Sequence, residues 1–265
     1  MTPGLPAAVR AWLQAGRAAM VVEVLEARGS VPREAGTRMV VAADQVLGTI
    51  GGGHLELQAI AQARKSLAEA PGSSFRQAIA LGPAMGQCCG GALTLRWSPL
   101  AATTSADWCD PAPRFTLQLY GAGHVGRAIV RLLEGIACRV QWIDEREDQF
   151  PPVVLPAHIE KLCVEPVEAE VRLAPPGAFY LVLTHSHDLD LAITQAILQR
   201  GDFGYLGLIG SKTKRSRFEH RFEARGIGRA LIERITCPIG VPGIDGKEPE
   251  VIAVAVVAQL LQRVD

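Results

Sequence analysis

Two adjacent thiols, Cys88 and Cys89, sit inside Gly86-Gln87-Cys88-Cys89-Gly90-Gly91. A glycine-flanked turn leaves such thiols close to backbone N–H groups. These lower a thiol pKa from its free value of about 8.5 and favour a thiolate that binds a soft metal or accepts sulfur. Neighbouring cysteines rarely close a relaxed disulfide, so a structural bridge between them is disfavoured. From the residues alone, a tight turn with one cysteine buried is an equally good reading. Zinc would need further ligands at suitable spacing, and the sequence holds no second cysteine pair.

Gly51-Gly52-Gly53-His54-Leu55-Glu56 joins an expected strand to an expected helix. Three glycines before a helix N-terminus form a donor-rich concavity suited to phosphate or another oxyanion. Glu56, in the first helical turn, complements the helix dipole. The competing reading is a flexible turn plus a helix cap. Two glycine-rich turns within one hundred residues tilt the balance toward a ligand.

Gly121-Ala-Gly123-His124-Val-Gly126 is a G-x-G-x-x-G fingerprint. An apolar strand reading, Phe115 to Tyr120, precedes it, and a helical pattern, His124 to Glu134, follows. Gly121 permits the tight turn, Gly123 lets backbone approach a phosphate, and Gly126 lets helix and strand pack closely. A second strand reading, Arg139 to Ile143, ends at Asp144, about where an acid would meet a ribose hydroxyl.

Thr184-His185-Ser-His187-Asp188-Leu-Asp190 follows another apolar strand. A hydrolase set H-x-H-x-D-H would place its aspartate where Leu189 stands, so metal hydrolysis is disfavoured. His185 and His187 read instead as ligand-contacting groups at the carboxyl end of a parallel strand, with Asp190 as a cap-region acid. Gly207-Leu-Ile-Gly210-Ser211-Lys212-Thr-Lys214-Arg215 repeats the strand-to-helix turn. There Ser211 caps, its N–H groups face an anion, and Lys212, Lys214 and Arg215 supply positive charge. The bland alternative, a solvated basic face, is favoured for Arg217 and Arg221.

The elements that must position these groups fall into two sets. Leu5, Ala8, Val9, Trp12 and Leu13 recur at helical spacing. Met20 to Glu26 alternates like a strand, and residues 38–50 read as a hairpin. A helical stripe from Leu55 to Leu67 stops at Pro71-Gly72, and two strands, Ser74 to Leu81 and Ala92 to Trp97, flank the cysteine turn. Residues 1–98 therefore read as a small α+β domain. Residues 99–113, with three prolines and no periodicity, read as a linker. Residues 114–265 alternate strand and helix, including Phe179 to Leu183, Asp188 to Arg200, Tyr205 to Ile209, Ser211 to Arg225 and Pro249 to Gln262. That rhythm predicts a Rossmann-like, doubly wound parallel sheet, so the fold class is α/β.

Composition narrows function. The 265 residues suit two domains, and 48% hydrophobic content is ample for two cores. Lys plus Arg equals Asp plus Glu at 27 each, so no net field draws nucleic acid or an anionic membrane. No apolar run reaches the roughly 18 residues that span a bilayer, and the start lacks a basic region followed by an apolar stretch. These features place the protein in the cytoplasm, where its six cysteines are expected as thiols.

Taken in order, these segments resemble the XdhC/CoxI-type accessory family over nearly the whole chain. The resemblance rests on Gly29-Ser30-Val31-Pro32-Arg33, Gly36-Thr37-Arg38-Met39, Gly48 to Glu56, the cysteine motif, and the three strand-end motifs of the second domain. The family likeness implies a maturation role without catalysis. Such proteins bind the molybdenum cofactor in its molybdopterin form and hold it while a cysteine desulfurase supplies sulfur. They then pass it to the molybdenum subunit of apo-xanthine dehydrogenase, and members commonly form homodimers.

On that footing the expected cofactor contacts are Gly51, Gly52, Gly53, His54, Glu56, Gln87, Cys88, Cys89 and Gly90. In the second domain they are Gly121, Gly123, His124, Gly126, Asp144, His185, His187, Gly210, Ser211 and Lys212. Cys88 and Cys89 are the expected metal contacts. Whether the Rossmann-like half also takes a nucleotide is open. The rival expectation is an NAD(P)-dependent oxidoreductase drawing on the fingerprint and Asp144, but no convincing acid–base set accompanies it. A purely structural assembly scaffold is a third.

Overall fold

The computed structural model describes residues 4–70, 72–81 and 90–264. It divides into two compact units, Met1–Pro111 and Ala112–Asp265.

The first unit is an antiparallel sheet with a helix on each face. Its elements are α1 (Leu5–Gln14), β1 (Met20–Arg28), β2 (Arg38–Val41), β3 (Val46–Gly48), α2 (Gly53–Glu69), β4 (Phe75–Ala80) and β5 (Ala92–Pro99). The strand order is β3-β2-β1-β5-β4. Alternation in β1 sends Met20, Val22 and Val24 into one core with Leu55, Ala59 and Ala63 of α2. Val21 goes to the opposite face, under Leu5, Val9 and Trp12 of α1.

The stretch expected as a linker is structured over much of its length. Short 3₁₀ turns occupy Leu100–Ala102 and Ser105–Asp107. Leu100 and Trp108 are buried with α1. The Trp108 indole N–H donates to Thr103 Oγ1 at 3.0 Å, and Arg10 donates to the Trp108 carbonyl at 2.5 Å. Proline content hid this. The segment closes the α1 side of the first core.

The second unit is a six-stranded parallel sheet. It comprises β6 (Thr116–Tyr120), α3 (His124–Leu133), β7 (Arg139–Asp144), β8 (Ile159–Cys163), β9 (Phe179–Val182), α4 (His187–Arg200), β10 (Tyr205–Leu208), α5 (Lys212–Ala224), α6 (Arg229–Glu233), β11 (Ile235–Thr236) and α7 (Pro249–Leu261). The order β11-β10-β9-β6-β7-β8, with every pairing parallel, is the doubly wound Rossmann order 3-2-1-4-5-6. One face packs against α3 and α7. The other packs against α4, α5 and the 3₁₀ segment Val167–Leu173. The chain reverses direction across the sheet between β6 and β9, so the turns after β6, β7, β9 and β10 share its carboxyl edge.

Among the described residues, no helix is long and apolar enough to cross a membrane.

Candidate functional site

The turn after β6 fits its glycines. Gly121 has φ +122°, and a Cβ there would lie 2.3 Å from the Leu183 carbonyl oxygen. A Cβ on Gly126 would lie 2.1 Å from the Gly121 carbonyl oxygen. Both positions demand glycine for close packing. Gly123 differs, since nothing lies within 4 Å of a Cβ built there. It caps α3 without a side chain, His124 beside it is exposed, and the first-turn N–H groups of a helix have no intrahelical partner. Arg127 braces the turn by donating to the carbonyls of Ala122 and Gln149, both at 3.0 Å. Trp142 Nε1 donates to the Gly121 carbonyl at 3.0 Å.

Asp144 ends β7 beside this turn, but its carboxylate is already engaged. Oδ2 accepts from Ala122 N at 2.7 Å and Arg146 Nη2 at 3.1 Å. Oδ1 accepts from Arg146 N at 3.1 Å and Arg146 Nε at 3.0 Å. The residue is 5% exposed. Burial pushes its pKa up, but the hydrogen bonds from Arg146 and Ala122 outweigh that and hold it below the ordinary value. Asp144 thus holds the turn together from inside. The next residue, Glu145, is the more accessible acid, with its Oε1 3.6 Å from His185 Nε2.

After β9, Ser186 caps α4 by accepting from Leu189 N, and His185 and His187 are exposed. Asp190 does not behave as a surface cap acid. It is 2% exposed, and its Oδ1 accepts from Thr184 N at 3.0 Å and Thr184 Oγ1 at 2.7 Å. Its Oδ2 meets Lys214 Nζ at 2.5 Å, and Lys214 also donates to the Ile209 carbonyl at 2.8 Å. Lys214 is therefore a buried tie between two strand-end turns and no free cation for an anion. A signal for this existed, because Lys214, Phe218 and Phe222 recur every four residues and both phenylalanines are buried. Arg215 pairs with Glu219 at 2.7 Å. Ser211 caps α5 as expected from its type, accepting from Lys214 N at 3.3 Å, and Lys212 is exposed. A Cβ on Gly210 would collide with the Lys214 stem at 2.5 Å.

In the first unit, the triple-glycine turn already holds an anion, and that anion is Glu56. Its Oε2 accepts from Thr49 Oγ1 at 2.5 Å, Ile50 N at 2.9 Å and Gly52 N at 3.0 Å. Burial raises its pKa, but these donors lower it further, to a net value below the ordinary range. The expectation that the Gly51 and Gly52 amides hold a ligand phosphate therefore changes: Gly52 N serves Glu56, and Gly51 N donates to Thr49 Oγ1 at 3.0 Å. Gly53 and His54 remain exposed at the start of α2, with His54 Nε2 2.9 Å from Gln58 Nε2.

The glycine motifs of this unit converge. A Cβ on Gly51 would strike Pro32 at 2.5 Å, and one on Gly91 would strike the carbonyls of Arg28 and Ser30 at 2.5 Å. Gly90 is exposed. Gln87, Cys88 and Cys89 lie outside the described residues. Of the other thiols, Cys109 and Cys163 are exposed, while Cys138 and Cys237 are buried. Burial pushes the Cys138 pKa up to about 12, which keeps it an inert thiol. Among the described residues, no three His, Cys, Asp or Glu side chains are grouped to hold a metal.

Comparison with known proteins agrees with this architecture. Residues 117–260 match the XdhC Rossmann domain, and residues 12–76 match the XdhC and CoxI family. The Uncharacterized protein YqeB of Escherichia coli (strain K12) is 30% identical over 249 residues, covering 91% of this chain and 43% of that protein. The chain thus spans less than half the length of that relative. The crystal structure of a xanthine dehydrogenase (BH1974) from Bacillus halodurans superposes with a TM-score of 0.74 at 19% identity, covering 98% of this chain and 95% of the other. Identity that low speaks for a shared fold. With matches that include more than half of its residues, the chain belongs to the XdhC and CoxI family of accessory proteins.

Proposed function

We propose that this chain is a cytoplasmic carrier that binds the molybdenum cofactor, holds it during sulfuration by a cysteine desulfurase, and delivers it to the molybdenum subunit of apo-xanthine dehydrogenase. It would act without catalysing a reaction itself, as a homodimer. Family membership supports the reading. The structural observation that carries it is the open space at Gly123, at the N-terminus of α3, where a helix leaves N–H groups without intrahelical partners. That arrangement suits the phosphate end of an anionic pterin.

The fit is one-sided within the described residues. Gly121, Gly123, His124 and Gly126 would seat the phosphate, with Gly210, Ser211 and Lys212 on the turn after β10, two strands along the same carboxyl edge. Cys88 and Cys89, which lie outside the described residues, are the proposed metal contacts, since thiolates suit a soft centre. A bound cofactor would supply a molybdenum centre able to accept sulfur. The Rossmann strand order and glycine turn also favour a second reading, an NAD(P)-dependent oxidoreductase. The engagement of Asp144 by four donors weighs against that reading's ribose contact.

The test is anaerobic purification of the full chain from a molybdenum-replete host. Molybdenum and a fluorescent pterin oxidation product are expected in near-equal amounts, with no nicotinamide turnover. Absence of both, or steady turnover of NAD(P)H, would overturn the carrier reading.

A further inference from the structure

We infer that Glu145, and not Asp144, is the acid that contacts the ligand of the second unit, with His185 as its partner across the glycine turn. The inference rests on the reading of the α3 turn as a ligand seat given above.

Three observations carry it. First, Asp144 occupies the position at which a Rossmann sheet presents its ligand-reading acid, yet both its oxygens are taken by Ala122 and Arg146 and it is 5% exposed. Its lone pairs serve the fold. Second, Glu145 is one residue further, and its side chain is 29% exposed. Among the described residues, the one basic side chain within 4 Å of its carboxylate is His185, at 3.6 Å. That separation exceeds a hydrogen bond, so the carboxylate keeps unused acceptor capacity.

Third, the sheet order places the pair. β7 and β9 both flank β6. A residue just after β7 that meets one just after β9 therefore spans the carboxyl end of β6, where Gly121 begins the turn. A ligand whose phosphate sits on α3 extends along this edge and meets Glu145 before Asp144.

The chemistry of the group follows. A carboxylate with two free oxygens accepts a pair of hydrogen bonds. The ligand part it selects therefore carries paired donors, such as vicinal hydroxyls or an amino group beside a ring N–H. His185, 3.6 Å away, is the basic neighbour on the facing turn after β9.

The experiment uses the full chain and its Glu145→Gln variant, which keeps shape and removes charge. Two probes separate the seats. ADP carries phosphates and vicinal hydroxyls, whereas inorganic pyrophosphate carries the phosphates alone. Calorimetric titration is expected to show ADP binding weakened at least five-fold in E145Q with pyrophosphate binding unchanged. Cofactor content of chain purified from a molybdenum-replete host should fall by a similar factor, with an unaltered urea midpoint.

E145Q equal to wild type for both ADP and cofactor would overturn the inference. So would equal weakening of ADP and pyrophosphate, which marks a structural defect. A wild-type chain free of molybdenum that binds ADP through Glu145 would sink the carrier reading and keep this one. A loaded chain indifferent to E145Q would do the reverse. Wild type that binds neither probe nor cofactor overturns both.

Discussion

Lys214 and Asp190 meet as a buried ion pair, Nζ to Oδ2 2.5 Å, with side chains 9% and 2% exposed. Thr184, just after β9, donates twice to the same carboxylate, and the Ile209 carbonyl, just after β10, accepts from the same ammonium. The pair therefore fixes two adjacent strand-end turns relative to each other. Removing one partner strands a buried charge. Lys214→Met or Asp190→Asn alone should cost about 3–5 kcal/mol, because the desolvated partner stays behind. The double replacement should cost less than the sum of the two, since no uncompensated charge remains. Urea unfolding of the four proteins measures this, and strict additivity would contradict the coupling.

Glu56 offers a second self-contained anion site. Glu56→Ala removes the common acceptor of Thr49 Oγ1, Ile50 N and Gly52 N. Unsatisfied donors of this kind cost about 1–3 kcal/mol in total stability where water cannot reach them. Glu56→Gln keeps an acceptor oxygen and should recover part of the loss. The relevant comparison is the order wild type, Gln, Ala in urea midpoints. An Ala variant as stable as wild type would mean that the turn holds itself without the carboxylate.

Acid sensitivity follows from the same two carboxylates. Asp144 and Glu56 both have folded pKa values below their ordinary 3.8 and 4.5, because donors outweigh the opposing effect of burial. A depressed folded value means that the unfolded chain takes up protons first as pH falls. The stabilisation is therefore complete above the ordinary carboxylate range, and it drains away as pH drops through that range to the folded values. Asp144→Asn and Glu56→Gln should each flatten the stability profile below about pH 4.5 while lowering the plateau at pH 7. Unfolding free energy measured from pH 7 to pH 3 tests the slope. Variants with a wild-type slope would show that neither group drives the acid limb.

Trp108 tests how far the first unit extends. Its ring is fully buried, Arg38 lies over it at 5.5 Å, and its N–H is bonded to Thr103. Trp108→Ala should cost about 3–5 kcal/mol, as large aromatic deletions from a core do. Thermal unfolding of this variant should show a clear loss in the transition of the first unit. A midpoint close to wild type would mean that residues 99–111 contribute little to that core.

Periodicity made most elements legible in the sequence, because β1, β6, β9, α2 and α4 each bury one face or a continuous apolar run. The elements it missed lack that pattern. β8, Ile159 to Cys163, is an edge strand carrying Glu160 and Lys161 after the prolines at 151, 152 and 156. β11 is two residues long. At the site, glycine spacing located the turn after β6, because sterics leave Gly121 and Gly126 no substitute. The occupancy of Asp144 and Glu56 was not legible, since it depends on where the Ala122, Ile50 and Gly52 amides point once the turns are folded. The burial of Lys214 was readable from its spacing to Phe218 and Phe222, but the surrounding basic residues masked it.

Gly123 and Gly126 separate folding from binding within one motif. A methyl on Gly126 would meet the Gly121 carbonyl oxygen at 2.1 Å, backbone that cannot easily give way, with Leu183 Cδ1 3.3 Å off. Gly126→Ala should therefore lose about 1–3 kcal/mol or more and lower the yield of folded protein. A methyl on Gly123 meets nothing within 4 Å, and its φ of −72° suits alanine. Gly123→Ala should fold with a stability within about 0.5 kcal/mol of wild type. The new methyl would nonetheless stand where a phosphate must approach the α3 amides, so cofactor content after anaerobic purification should drop several-fold. If Gly123→Ala instead carried a full load of molybdenum and pterin, the phosphate would have to sit elsewhere. The glycine turn would then serve only to join β6 to α3.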